Sequence, residues 1–132
     1  MKDESIGHYS DRELAYAYLA VNNKEKALEH AMLEYNRRPA NIDVNEAVAW
    51  VHYQRGEFEK AIPFMKAALR TNSSNPTLLC RAALIYNKAG MAHEMPAINR
   101  AALISNLSIA EGLRNELASN TNTNFASPVV NR

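Results

Sequence analysis

The sequence predicts an all-α fold: three antiparallel helix pairs followed by a C-terminal capping helix. Three observations carry this. A short segment recurs at constant spacing, apolar residues beside each copy follow helical periodicity, and Pro39 and Pro76 fall between the predicted helices. The recurring segment is Asn22-Asn23-Lys24-Glu25-Lys26-Ala27, then Gly56-Glu57-Phe58-Glu59-Lys60-Ala61, then Gly90-Met91-Ala92-His93-Glu94-Met95. Asn22, Gly56 and Gly90 stand 34 residues apart in succession. Asn and Gly both tolerate left-handed backbone at a helix C-terminus, so each copy reads as the turn between two helices.

The elements follow in order. Residues 11–21 form the first helix, opened by a Ser10-x-x-Glu13 capping box. Residues 24–38 form the second, with Ala27, Leu28, Ala31 and Tyr35 on one face. Pro39 stops it. Residues 43–55 form the third helix. Residues 58–71 form the fourth, where Phe58, Ala61, Ile62, Met65, Ala68 and Leu69 recur at i, i+3, i+4 spacing. Pro63 lies inside it and is expected to bend it slightly. Pro76 opens the fifth helix, residues 77–89. The sixth spans 93–105, with Pro96 in its first turn. A second capping-box pattern, Ser108 and Glu111, opens a capping helix over 108–118, with Ile109, Ala110, Leu113 and Leu117 as its apolar stripe. Residues 119–132 carry one charge, Arg132, and read as a flexible tail. The domain is thus 1–118, with units at about 8–41, 42–75 and 76–107.

Composition narrows the function. The chain has 132 residues, 47% hydrophobic and 22% charged, which fits one globular domain. Its formal net charge of +1 gives no bulk reason to bind nucleic acid or an acidic membrane. No run is long and apolar enough to insert in a membrane, and no signal peptide is visible. One cysteine, Cys80, excludes an internal disulfide and a cysteine-rich zinc cluster. It reads as an inert small hydrophobe in mid-helix. The four histidines, His8, His30, His52 and His93, have no partners at recognised metal spacing. His52 reads as a packing residue between helices. No nucleophile-elbow, zinc-protease or phosphate-loop pattern occurs. No cofactor and no catalysis are expected. Two Asn-x-Ser triplets, at Asn72 and Asn106, are too common a pattern to carry weight without a secretory context.

The spacing and its residues resemble the tetratricopeptide repeat family, whose repeat is 34 residues long with a W-x₂-L-G-x₂-Y…A-x₃-F…P pattern. The first unit offers Leu14-Ala15-x-x-Tyr18, Ala27 and Pro39. The second offers Val48-Ala49, Gly56, Ala61 and Ala68. The third offers Leu79, Ala82-Ala83-x-x-Tyr86, Gly90 and Ala102. The resemblance covers about residues 8–107. It implies an α-solenoid of three repeats, with Ala15, Ala49 and Ala83 allowing close helix crossings. There are departures. Asp11 and Asn45 replace the pattern's Trp, Met95 replaces the small residue supplied by Ala27 and Ala61, and Asn99 stands where the family usually buries an aromatic.

The resemblance implies protein binding on the concave face, lined by the first helix of each pair. Helical spacing places there Tyr9, Arg12, Glu13 and Tyr16 from the first unit. The second supplies Asp43, Glu46, Trp50 and Tyr53, and the third Thr77, Arg81, Leu84, Asn87 and Lys88. Tyr16, Trp50 and Leu84 are equivalent and should form an apolar row, with Arg12 and Arg81 at its two ends. Aromatics and Arg dominate binding hot spots. The competing expectation is that Trp50 and Tyr53 simply pack on a neighbouring helix. Some members of the family grip the C-terminal carboxylate of chaperone tails with two Lys, two Asn and one Arg. Here Arg12 stands for the first Lys and Arg81 for the Arg. Tyr16, Ala47 and Thr77 fill the other three places, so that clamp is not expected, while an acidic contact at Arg81 stays open.

The expected partner is therefore another protein or peptide, with no nucleic acid and no direct membrane insertion. A second expectation is that the chain is a fragment of a longer solenoid. It starts abruptly, without an N-terminal cap, so that end is free to self-associate. The 43–87 stretch resembles the closing repeats of larger bacterial repeat proteins. The compartment stays open, because an upstream segment with a leader is compatible with this start.

Overall fold

The structure, a computed structural model, describes residues 9–125, with side chains at all of these but 109, 113, 114 and 117–125. Among the described residues it is all-helical, with six α-helices, one 3-10 turn and no strand. The helices are α1 (Asp11–Ala20), α2 (Lys24–Arg37), α3 (Ile42–Gln54), α4 (Phe58–Ala68), α5 (Pro76–Lys88) and α6 (Ala97–Phe125). Each packs on the next, and α1 and α5 both also touch α3. The first helices of the three pairs therefore lie side by side.

Local chemistry sets the boundaries. Ser10 and Glu13 form the expected capping box at α1. Asn23, Asn41 and Asn75 each accept a bond from a first-turn amide of α2, α3 and α5. The three predicted turns share one construction. Asn22, Gly56 and Gly90 all have left-handed backbone, at φ 63, 81 and 74. The following amide then donates back across the turn: Asn23 to Tyr18, Glu57 to His52 and Met91 to Tyr86, at 2.8–2.9 Å.

The core is built on small residues. Ala15, Ala27, Ala49 and Ala61 are fully buried. Ala83 is only partly buried, and its neighbour Ala82 takes the buried place in α5. His52 is buried as expected, stacked on Phe64 at 5.6 Å with Nδ1 2.8 Å from Glu57. Asp11 and Asn45 do polar work where the repeat pattern has Trp. Asp11 binds His30 and Arg37, joining α1 to α2. Asn45 donates to the Pro39 and Asn41 carbonyls, fixing the α2–α3 connection.

Several expectations need correction. The sixth helix does not start at residue 93. Met95 is extended, ψ 132, because a residue before proline is barred from helical backbone, so Ala92–Glu94 closes as a 3-10 turn and α6 begins after Pro96. The capping helix 108–118 is not a separate element. α6 runs through Ser108 to Phe125, 29 residues, because no proline interrupts its backbone bonds. Helix therefore covers the first part of the predicted tail, and residues 126–132 lie outside the described ones, as do residues 1–8. The side chains of Ile109, Leu113 and Leu117, three of the four in the expected stripe, lie outside them too. Finally, Cys80 is exposed. It sits opposite the buried stripe Leu78, Leu79, Ala82, Ile85 and Tyr86. α4 continues through Pro63, whose ring is exposed, and ends at Ala68, earlier than residue 71.

Candidate functional site

The face shared by α1, α3 and α5 carries most of the predicted residues. Helical spacing brings Tyr16, Glu46, Trp50 and Arg81 to one point because the three helices lie side by side. Arg81 Nη1 donates to the Tyr16 hydroxyl at 3.0 Å and to Glu46 Oε2 at 2.8 Å. Its guanidinium carbon lies 5.2 Å from the Tyr16 ring centre and 4.8 Å from that of Trp50. A cation over a ring face is held by the ring's quadrupole, and Arg stacks there well.

The rings continue beyond Trp50. Tyr53 stacks on it at 4.8 Å and 12°. Phe58 of α4 follows at 5.5 Å, and the Lys88 ammonium lies 5.8 Å from the Phe58 ring centre. The result is a ladder, Tyr16–Arg81–Trp50–Tyr53–Phe58–Lys88, with a cation inside it and a cation at one end. Trp50 and Tyr53 are half buried and rest on the core cluster, so the expectation that they pack locally holds alongside their exposure.

Two expectations about this face change. Arg81 is not at an end of the apolar row but in its middle, because its long side chain reaches back between Tyr16 and Trp50. Tyr16, Trp50 and Leu84 do not form a continuous row: Arg81 separates the first two, and Leu84 is 44% exposed, outside the core clusters. Tyr9 is exposed just ahead of α1, and Asn87 is exposed on α5. Lys88 serves a different place. It lines an open depression of about 380 Å³ with Gly56, Glu57, Phe58 and Glu59, at the α3–α4 turn. Phe58 was missed as a surface residue. Its i, i+3, i+4 spacing reads as core, and only the turn geometry swings its ring against Tyr53.

Arg12, Tyr16, Glu46, Asn75, Thr77 and Arg81 line a second open depression of about 310 Å³. Burial pushes Glu46 above the usual carboxylate range, although the Arg81 charge pulls the other way. Burial likewise raises the Tyr16 phenol, against the pull of Arg81. Among the described residues no cluster of three His, Cys, Asp or Glu is placed to hold a metal. No described helix is long and apolar enough to cross a membrane. No protein-family model matches the chain, and no curated protein does.

Proposed function

We propose that the chain is a short α-solenoid of three tetratricopeptide-like repeats and a non-catalytic scaffold that binds a peptide or partner helix on the concave face. The equivalent turns at Asn22, Gly56 and Gly90 support the repeat reading. The observation that carries the binding reading is the half-exposed aromatic and cationic ladder, drawn from all three first helices beside an open depression. Such residues give large contact area with polar handles and low ordering cost. Tyr16, Trp50 and Tyr53 are the anchors, and Arg12 lines the same depression as Tyr16 and Arg81.

Panning a random peptide library on the chain and on Tyr16→Ala tests this. Circular dichroism establishes that the variant is folded. A motif enriched by the wild type and lost with the variant is the expected result. Enrichment equal on both moves the interface off this face.

A second reading, in which the chain's surfaces meet further repeats or another copy, has its own observation. α6 exposes Ile98, Ile104 and Leu107, each more than half. The exposed face of α4 instead carries Pro63 and Lys66, with Arg70 just beyond its end. Sedimentation of the wild type against Ile104→Glu separates this reading from the first.

A further inference from the structure

We propose that the Arg81 depression takes an uncharged, extended peptide segment through its main-chain carbonyls, and that Glu46 makes it refuse acidic ones. This rests on the peptide-binding reading above and adds the chemistry of the partner.

Arginine has five N–H donors. The two on Nη1 are used by Tyr16 and Glu46. The three on Nε and Nη2 have no acceptor among the described residues. Two rings hold the guanidinium in place, so these donors are oriented before any partner arrives. Other groups lining the depression also donate. Asn75 spends its oxygen on the Leu78 amide, which leaves its Nδ2 hydrogens open. Thr77 and Arg12 add a hydroxyl and a guanidinium. A donor-rich wall fits an acceptor-rich strand, and the carbonyls of an extended main chain are that in any sequence.

Charge decides between a carbonyl and a carboxylate. Glu46 already answers Arg81 at 2.8 Å. The Asp43 charge pushes the Glu46 carboxyl up and the Arg12 charge pulls it down, so both act on it beside its ion pair with Arg81. An incoming carboxylate on the open nitrogens would lie beside the Glu46 carboxylate, and like charges held close are costly in a half-buried site. The Arg81 charge is thereby spent inside the chain, while its hydrogen-bonding geometry stays available outward.

The experiment pans a random peptide library on the wild type and on Glu46→Gln, at low and at high salt. The wild type should enrich peptides whose Asp and Glu content matches the starting library, with the same motif at both salt levels. Glu46→Gln, with its guanidinium uncovered, should enrich acidic peptides at low salt only. One enriched peptide, synthesised, should bind with less than about threefold change in Kd across the salt range, since no net charge pairing is involved. Arg81→Lys should weaken it about tenfold while keeping the charge, because the planar donor fork is lost. Acidic or free-carboxylate motifs on the wild type overturn the inference and leave peptide binding standing. So does an unchanged motif on Glu46→Gln. Failure to enrich anything on either protein overturns both readings.

Discussion

The Arg81 guanidinium carbon sits 4.8 Å from the Trp50 ring centre, 31 residues away along the chain, while its Nη1 donates to the Glu46 carboxylate. Arg81→Ala removes the ring contacts and leaves Glu46 half buried without its cation. The expected loss is about 1–3 kcal/mol of unfolding free energy. Trp50 is the sole tryptophan, so its fluorescence reads the local change directly while urea denaturation reads the global one. An unaltered Trp50 spectrum in Arg81→Ala would show that the ring contact does not persist in solution.

Ala61 is fully buried where α3 and α4 cross. A leucine there has no room, and overpacked cores typically lose ~1–3 kcal/mol. Ala61→Leu should therefore lower the denaturation midpoint. A midpoint equal to the wild type contradicts the close crossing of these two helices.

Asn99 is 1% exposed, and neither its Oδ1 nor its Nδ2 has a hydrogen-bond partner among the described residues. Met65 fills the place 34 residues earlier, in α4, and is fully buried. An unsatisfied buried amide costs roughly 1–3 kcal/mol, so an apolar side chain of similar size should do better. Asn99→Leu is expected to raise the melting temperature by several degrees. A lower melting temperature would point to a bridging water that the amide holds.

Three carboxylates are held below their usual range by basic partners. Hydrogen bonds from Arg55 and then His52 hold Glu57 at about 2, down from 4.5. Asp11 is raised by burial, but its bonds from Arg37 and His30 outweigh this and leave it below the usual range. Glu34, buried between α1 and α2, is likewise lowered on balance by Arg38 and Arg37 and by the Arg12 amide. A depressed carboxylate stabilises the fold above its unfolded pKa, and that contribution is lost as pH falls toward its folded one. For Glu57 the window runs from 4.5 down to about 2. Glu57→Gln should flatten the fall in melting temperature across that window. The effect is modest, about 1 kcal/mol or less, because the carboxylate is partly in water.

Much of this molecule was written in short-range chemistry. Asn22, Gly56 and Gly90 announce their turns because few residue types accept left-handed backbone, and the structure builds the same hydrogen bonds at all three. The fully buried alanines are legible for a similar reason: a small residue at helical spacing marks a close crossing. Pro96 was legible too, but its consequence was misread. A proline at a helix start favours the helix that follows and forbids the one before, so Met95 turns extended and the sixth helix starts late.

Tertiary structure alone decided where the long side chains went. Periodicity puts Arg81 on the shared face, yet it cannot say that four flexible bonds carry the guanidinium back between Tyr16 and Trp50 to meet Glu46. Nor can it place Phe58 against Tyr53, since an apolar residue one step past a turn belongs to either face until the neighbouring helix is docked. Backbone elements follow from the residue and its immediate neighbours. Contacts between residues 31 or 65 positions apart follow only from how the helices lie against one another.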